Sequence, residues 1–132
     1  MIRATKEWDI RCPRALVEMF PVRRGYYYKV DRDQARKIVE ILNKAYGVTA
    51  KAVISPDKPE NGNNGTCHYR VGYSLIDVHA RGHMKTVFHE WYHHLEHATR
   101  GVYNSSDRKG GPSSLAWQFA DRLFDKLRSK KP

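Results

Sequence analysis

From residue 31 onward, the apolar positions of the chain fall alternately into helical and strand periods. Ala35, Ile38, Val39, Leu42 and Ala45 recur at the spacing of one helix face. Asp31 or Asp33 can cap that run and Gly47 stops it, so the pattern predicts a helix reaching about Tyr46. Val48 to Ile54 alternates apolar and polar residues, as a half-buried strand does. Ser55 to Gly65 is rich in Pro, Asn and Gly and reads as a loop. Two further strands, Thr66 to Val71 and Tyr73 to His79, are hinged at Gly72, and Ala80-Arg81-Gly82 makes a turn. A helix follows from His83 or Met84 to Thr99, with Phe88, Trp91, Leu95 and Ala98 as its core-facing stripe and Gly101 closing it. Val102 to Gly111 is a polar loop. A last helix begins near Pro112 and buries Ala116, Phe119, Ala120, Leu123 and Leu127.

Residues 1–30 carry no such period. Cys12-Pro13 and Phe20-Pro21 oppose a helix, and only Arg23 to Val30 has strand character. The order predicts an α+β domain. A short, mostly antiparallel or mixed sheet is covered by an N-terminal helix, a central helix and a C-terminal helix. One domain spans residues 1–132, with 1–30 as an irregular lead and 31–128 as the core, and no internal repeat is visible.

Composition changes this picture little; charge changes it more. A length of 132 residues suits a single modest core. No apolar run approaches the roughly 18 residues of a membrane span, and the first residues lack the apolar stretch of a secretory signal. These features predict a cytoplasmic protein with no membrane partner. Lys and Arg outnumber Asp and Glu by 24 to 14, a net charge of +10. That excess favours acidic partners, nonspecific nucleic acid first among them, although no sequence-reading motif accompanies it. Two distant cysteines, Cys12 and Cys67, exclude a thiolate-based zinc site by count and read as free, partly buried thiols.

The chemistry is concentrated in His89-Glu90-Trp91-Tyr92-His93, an HExxH sequence inside the central predicted helix. Residues four apart on a helix differ by about 40° in direction and about 6 Å in height, so two imidazoles can converge on one ion from one face. Glu90 projects about 100° round from His89, where it reaches the water of a metal rather than the metal itself. The spacing therefore supplies two ligands for zinc, His89 and His93, and one acid–base, Glu90. His94 points away from that face and reads as structural or surface.

The stretch Thr86 to Leu95, the polar loop after it and the helix reading Ala116-x-x-Phe119-Ala120 together resemble the smallest zincins, the minimal gluzincins and the ImmA-type peptidases. Asp107 to Pro112 is similar to the corresponding loop of SprT-like peptidases. The resemblance covers residues 31 to 128. It implies a zinc-dependent endopeptidase acting on peptides or proteins, with three protein ligands and a bound water. His89 and His93 would be ligands and Glu90 the general base and acid. An extended substrate would pair with an edge strand near Tyr73 to His79. Tyr103 or Arg108 would support the oxyanion.

The third ligand departs from both patterns. Gluzincins carry a Glu where this chain has Ser113, and the SprT-like loop carries a His where Gly110 and Gly111 are adjacent. Asp107, in the loop that returns toward the central helix, is the favoured ligand. His79 or His83 could approach from the strand edge. His97 lies two helical turns beyond His89, about 12 Å along the axis, and Glu96 shares that problem of reach. A site with two protein ligands alone also stays open. The competing function is a zincin-fold module that has lost catalysis and binds nucleic acid or protein through its basic surface; a zinc hydrolase of RNA ranks behind it. So small a cleft also suggests dependence on a partner or dimerisation.

Overall fold

The computed structural model describes residues 10–20, 29–55, 65–79, 82–100 and 115–129. In chain order these form α1 (Arg14–Met19), β1 (Lys29–Val30), α2 (Arg32–Tyr46), β2 (Lys51–Ile54), β3 (Gly65–Arg70), β4 (Tyr73–Val78), β5 (Gly82–His83), α3 (Met84–Arg100) and α4 (Leu115–Ser129). The fold is α+β: among the described residues there are four helices and two small sheets. The expected polar loop at 102–111, the turn residues Ala80 and Arg81, and the start of the last helix near Pro112 lie outside the described residues.

The first departure from expectation is α1, in a stretch read as irregular. The two prolines bracket a helix instead of preventing one. Pro13 stands at the N-cap with extended backbone, where its missing N–H costs nothing, and the helix ends before Phe20-Pro21. Leu16 and Phe20 are buried in the main core. α2 forms where its period places it. The Asp31 side chain accepts the N–H of Gln34 while Gln34 accepts the N–H of Asp31, a reciprocal cap. At the other end Gly47 takes a left-handed conformation, φ 67°, and the N–H of Val48 closes back on Asn43. Val48 thus belongs to the helix stop, and β2 starts only at Lys51.

The three-stranded sheet runs β2-β4-β3, with β2 parallel and β3 antiparallel to β4. It is mixed, as one of the two expected alternatives had it. Gly72, φ 82°, makes the tight turn between β3 and β4. β4 is the central strand, hydrogen-bonded on both sides, so the expectation of a free edge at Tyr73 to His79 is corrected: on that side of the sheet the outer strand is β3. β1, at the end of the stretch Arg23 to Val30 expected to have strand character, pairs antiparallel with β5 as a separate sheet, and β5 falls where a turn and a helix start were expected.

Helix α3 is sandwiched between α2, α4 and the sheet. Trp91 stacks between Tyr46 and Phe119, with ring centroids at 5.1 and 5.8 Å, and Tyr92 meets Phe119 at 5.0 Å. The indole N–H of Trp91 donates to Asn43 of α2 at 2.8 Å, so the largest core side chain also has its polar edge satisfied. Phe88 and Leu95 are buried as expected, but Ala98 is exposed because α3 outruns the core there. Among the described residues no helix is long and apolar enough to cross a membrane.

Candidate metal centre

His89, Glu90 and His93 come together on the buried middle of α3. One ligand atom from each lies within 4.8 Å of the others. The two imidazoles sit 4.9 Å apart, centroid to centroid, and nearly perpendicular at 85°. The Glu90 carboxylate stands 3.8 Å from Nε2 of His89. Helical spacing alone accounts for the convergence, and the burial turns it into a site. All three residues are at most 5% exposed, so their polar atoms face each other rather than bulk water.

The neighbours differ on the two sides. Trp117 of α4 lies over His89 with ring centroids 4.2 Å apart and a tilt of 33°. His93 turns Nδ1 toward the carboxylate of Glu96, 3.4 Å away, one turn further along the helix. Glu96 is 2% exposed. It is therefore neither a surface group nor a ligand in reach of the His89 side, but the group behind His93. The sequence signal for it existed in the i,i+3 spacing from His93.

β3 closes the site from above. At Gly65 a Cβ would come within 2.8 Å of the Thr86 methyl and 3.1 Å of Cγ of Glu90. The backbone of the outer strand thus rests on the side chain of Glu90, an approach that only glycine permits. Further along β3, the Cys67 thiol is pushed up strongly, first by burial and then by the Glu90 charge nearby. Cys67 and Cys12 form no disulfide and both are partly buried, as read from the sequence.

The other histidines are placed elsewhere. His94 is fully buried on the opposite face of α3, which removes the surface alternative. Its Nε2–H donates to the carbonyl of Ala50 at 3.0 Å, and Nδ1 is left to accept from the Ser74 hydroxyl at 2.7 Å. Burial holds its pKa at about 4, against the partial compensation of the Ala50 carbonyl. His83 caps α3: its Nδ1 accepts the N–H of Lys85 at 3.0 Å, and its ring packs edge-on to Phe124. Burial and then the Lys85 charge lower its pKa. His83 does not join the His89–Glu90–His93 group. His79 is exposed at the end of β4, and His97 is half-buried on the far half of α3. Neither joins the three-residue group. Asp107, Ser113, Tyr103 and Arg108 lie outside the described residues.

These residues fit a metal ion by the chemistry of the donor set. Two imidazoles and a carboxylate are buried together, and a second carboxylate stands behind one imidazole. Imidazole nitrogen and carboxylate oxygen are donor types that a divalent cation takes. The His89–Glu90–His93 group can therefore hold a metal ion. No protein-family profile, curated protein or solved structure matches the chain at a significant level.

Proposed function

We propose that the chain is a small zinc metallopeptidase of zincin type, in which His89 and His93 hold the ion and Glu90 serves as acid and base. The observation that carries this reading is the buried convergence of the three side chains on one helix. The 3.8 Å from Glu90 to His89 Nε2 exceeds the edge of about 3.3 Å between two ligands of a tetrahedral zinc site, which suits a base beside the ion better than a ligand on it.

Zinc bound there would polarise a peptide carbonyl and lower the pKa of a water far below that of bulk water, toward about 7. The chain's own groups do the rest. Glu90 takes the proton of the attacking water and returns it to the departing amine. Gly65 keeps β3 pressed against Glu90, so an extended peptide added along β3 passes the carboxylate at hydrogen-bonding distance from the strand. Trp117 covers His89 and limits water on that side.

The test is metal content followed by cleavage. The purified chain should carry about one equivalent of zinc, lost in His93→Ala. Peptide cleavage should fall by roughly 10²–10⁴-fold in Glu90→Gln while zinc is retained. A wild-type chain that is folded and takes up no zinc overturns the proposal. The net charge of +10 favours a second reading, a metal-holding module that binds nucleic acid. Zinc without any cleavage, together with salt-sensitive nucleic-acid binding unchanged in Glu90→Gln, would select it.

A further inference from the structure

We infer that Glu96 is the positioning carboxylate of the metal centre, accepting the Nδ1–H of His93 so that Nε2 is the nitrogen offered to the ion. The inference rests on the metal-centre reading above and adds to it a residue outside the HExxH sequence. Three observations carry it. Oε1 of Glu96 lies 3.4 Å from Nδ1 of His93, and the side chains are 2% and 3% exposed. The i,i+3 spacing puts Glu96 one turn beyond His93, on the side away from His89 and Glu90. One ring nitrogen of His93 lies within 4.8 Å of ligand atoms of His89 and Glu90, and because the two ring nitrogens diverge, an Nδ1 turned to Glu96 leaves Nε2 for that group.

The chemistry follows from the tautomer. A metal binds a neutral imidazole through a lone pair, and a proton held on Nδ1 leaves that lone pair on Nε2. A carboxylate behind the ring also raises its basicity as a ligand. His89 has no equivalent i+3 carboxylate, because position 92 is Tyr92. Among the described residues, His93 faces the Glu96 carboxylate and His89 lies under the indole of Trp117. A buried carboxylate is expensive to keep unless it does something for its partner, and holding a ligand is such a task.

Glu96 acts through His93, so the experiment reads metal affinity and tautomer, not turnover. Zinc is titrated against a competing chelator into full-length wild type, Glu96→Gln, Glu96→Leu and His93→Ala. Side-chain nitrogen NMR of the metal-free proteins reports the His93 tautomer. Glu96→Gln keeps an acceptor but loses the charge, so affinity should drop about 10-fold with the Nδ1–H tautomer retained. Glu96→Leu removes the acceptor as well, so the loss should approach about 100-fold with a mixed tautomer. Affinities within twofold of wild type in both variants, with the tautomer unmoved, would overturn the role of Glu96 and leave the metal centre standing. Wild type that binds no better than His93→Ala would overturn the metal centre, and the role of Glu96 with it. Glu96→Gln is near-isosteric, so it keeps the test decisive if Glu96→Leu does not fold.

Discussion

His93 and His94 are adjacent in sequence and equally buried, yet they sit on the two faces of α3 with opposite fates. On the sheet face, His94 spends both nitrogens on the protein, one on the Ala50 carbonyl and one on the Ser74 hydroxyl. On the other face, His93 has Nδ1 3.4 Å from the Glu96 carboxylate, and one of its ring nitrogens lies within 4.8 Å of ligand atoms of His89 and Glu90. Burial is common to both, so burial does not make a ligand. What differs is the company each keeps: His94 meets a carbonyl and a hydroxyl, His93 two carboxylates and a second imidazole. His94 ties α3 to β4 and to the chain leading into β2, and that tie fixes the rotation of the helix. The rotation in turn keeps the HExxH face directed away from the sheet's centre and toward α4 and the start of β3.

The comparison breaks most clearly by alanine substitution on each face. His93→Ala should abolish zinc binding with little change in the melting temperature of the metal-free protein. His94→Ala should keep the zinc stoichiometry but lose about 2–4 kcal/mol of stability, from a cavity and two broken buried hydrogen bonds. Chelator competition and urea unfolding on the same samples read both quantities. Matching losses of zinc in the two variants would mean that the faces are not separate.

Acid should sharpen the same contrast. His94 titrates at about 4 in the fold and near 6.5 when unfolded, so its neutral form is the folded one. Above pH 6.5 it is neutral in both states and its contribution is complete. As pH falls from 6.5 toward 4, the unfolded chain takes up a proton that the folded chain refuses. Stability declines across that window by an amount on the order of 3 kcal/mol and levels off below it. Metal-free protein, unfolded in urea at pH 7.0 and pH 4.5, measures the loss. His94→Gln carries no titrating group there and should lose correspondingly less; parallel curves for the two proteins would contradict the assignment.

How much of this could be read from residues alone differs between elements. α2, α3 and α4 were legible because their apolar stripes are long and regular, and the HExxH spacing is itself helical geometry. α1 was not, because the same two prolines that rule out a long helix are compatible with a six-residue one between them. Strand order was not legible either. Tyr73 to His79 was expected as an edge from the family resemblance, and the pairing of Ser74 and Ile76 with both β2 and β3 makes it central. At the site, His89, Glu90 and His93 were found by local spacing. Glu96 was judged out of reach as a ligand because its separation was counted from His89, and was read as a group around the site or on the surface; counted from His93, it is one turn away. Trp117 and Gly65 come from other elements, and no local pattern signals a contact across 24 residues or more.

Gly65 offers a smaller perturbation on the catalytic face. Alanine there meets the Thr86 methyl at 2.8 Å and Glu90 Cγ at 3.1 Å. Overpacking of this kind costs about 1–3 kcal/mol. Thr86→Ser removes the closer obstacle and leaves the contact with Glu90. Gly65→Ala combined with Thr86→Ser should therefore recover most of the stability but not the turnover, with zinc affinity unchanged throughout. Recovery of turnover along with stability would show that β3 does not set the position of Glu90.

The smallest effect should come from Trp117, which separates the two ligands from each other. The indole stacked on His89 at 4.2 Å restrains that ring. Offset stacking contributes roughly 0.5–1.5 kcal/mol beyond the area it covers. Leucine retains much of that cover without the flat surface, so Trp117→Leu should weaken zinc binding several-fold and less than tenfold. Chelator competition places it beside the Glu96 variants. A weakening smaller than that of Glu96→Leu fits an imidazole steered by packing on one side of the ion and one steered by charge on the other. An unaltered affinity would mean that Trp117 only shields His89 from water and that His93 with Glu96 carries most of the preorganisation of the site.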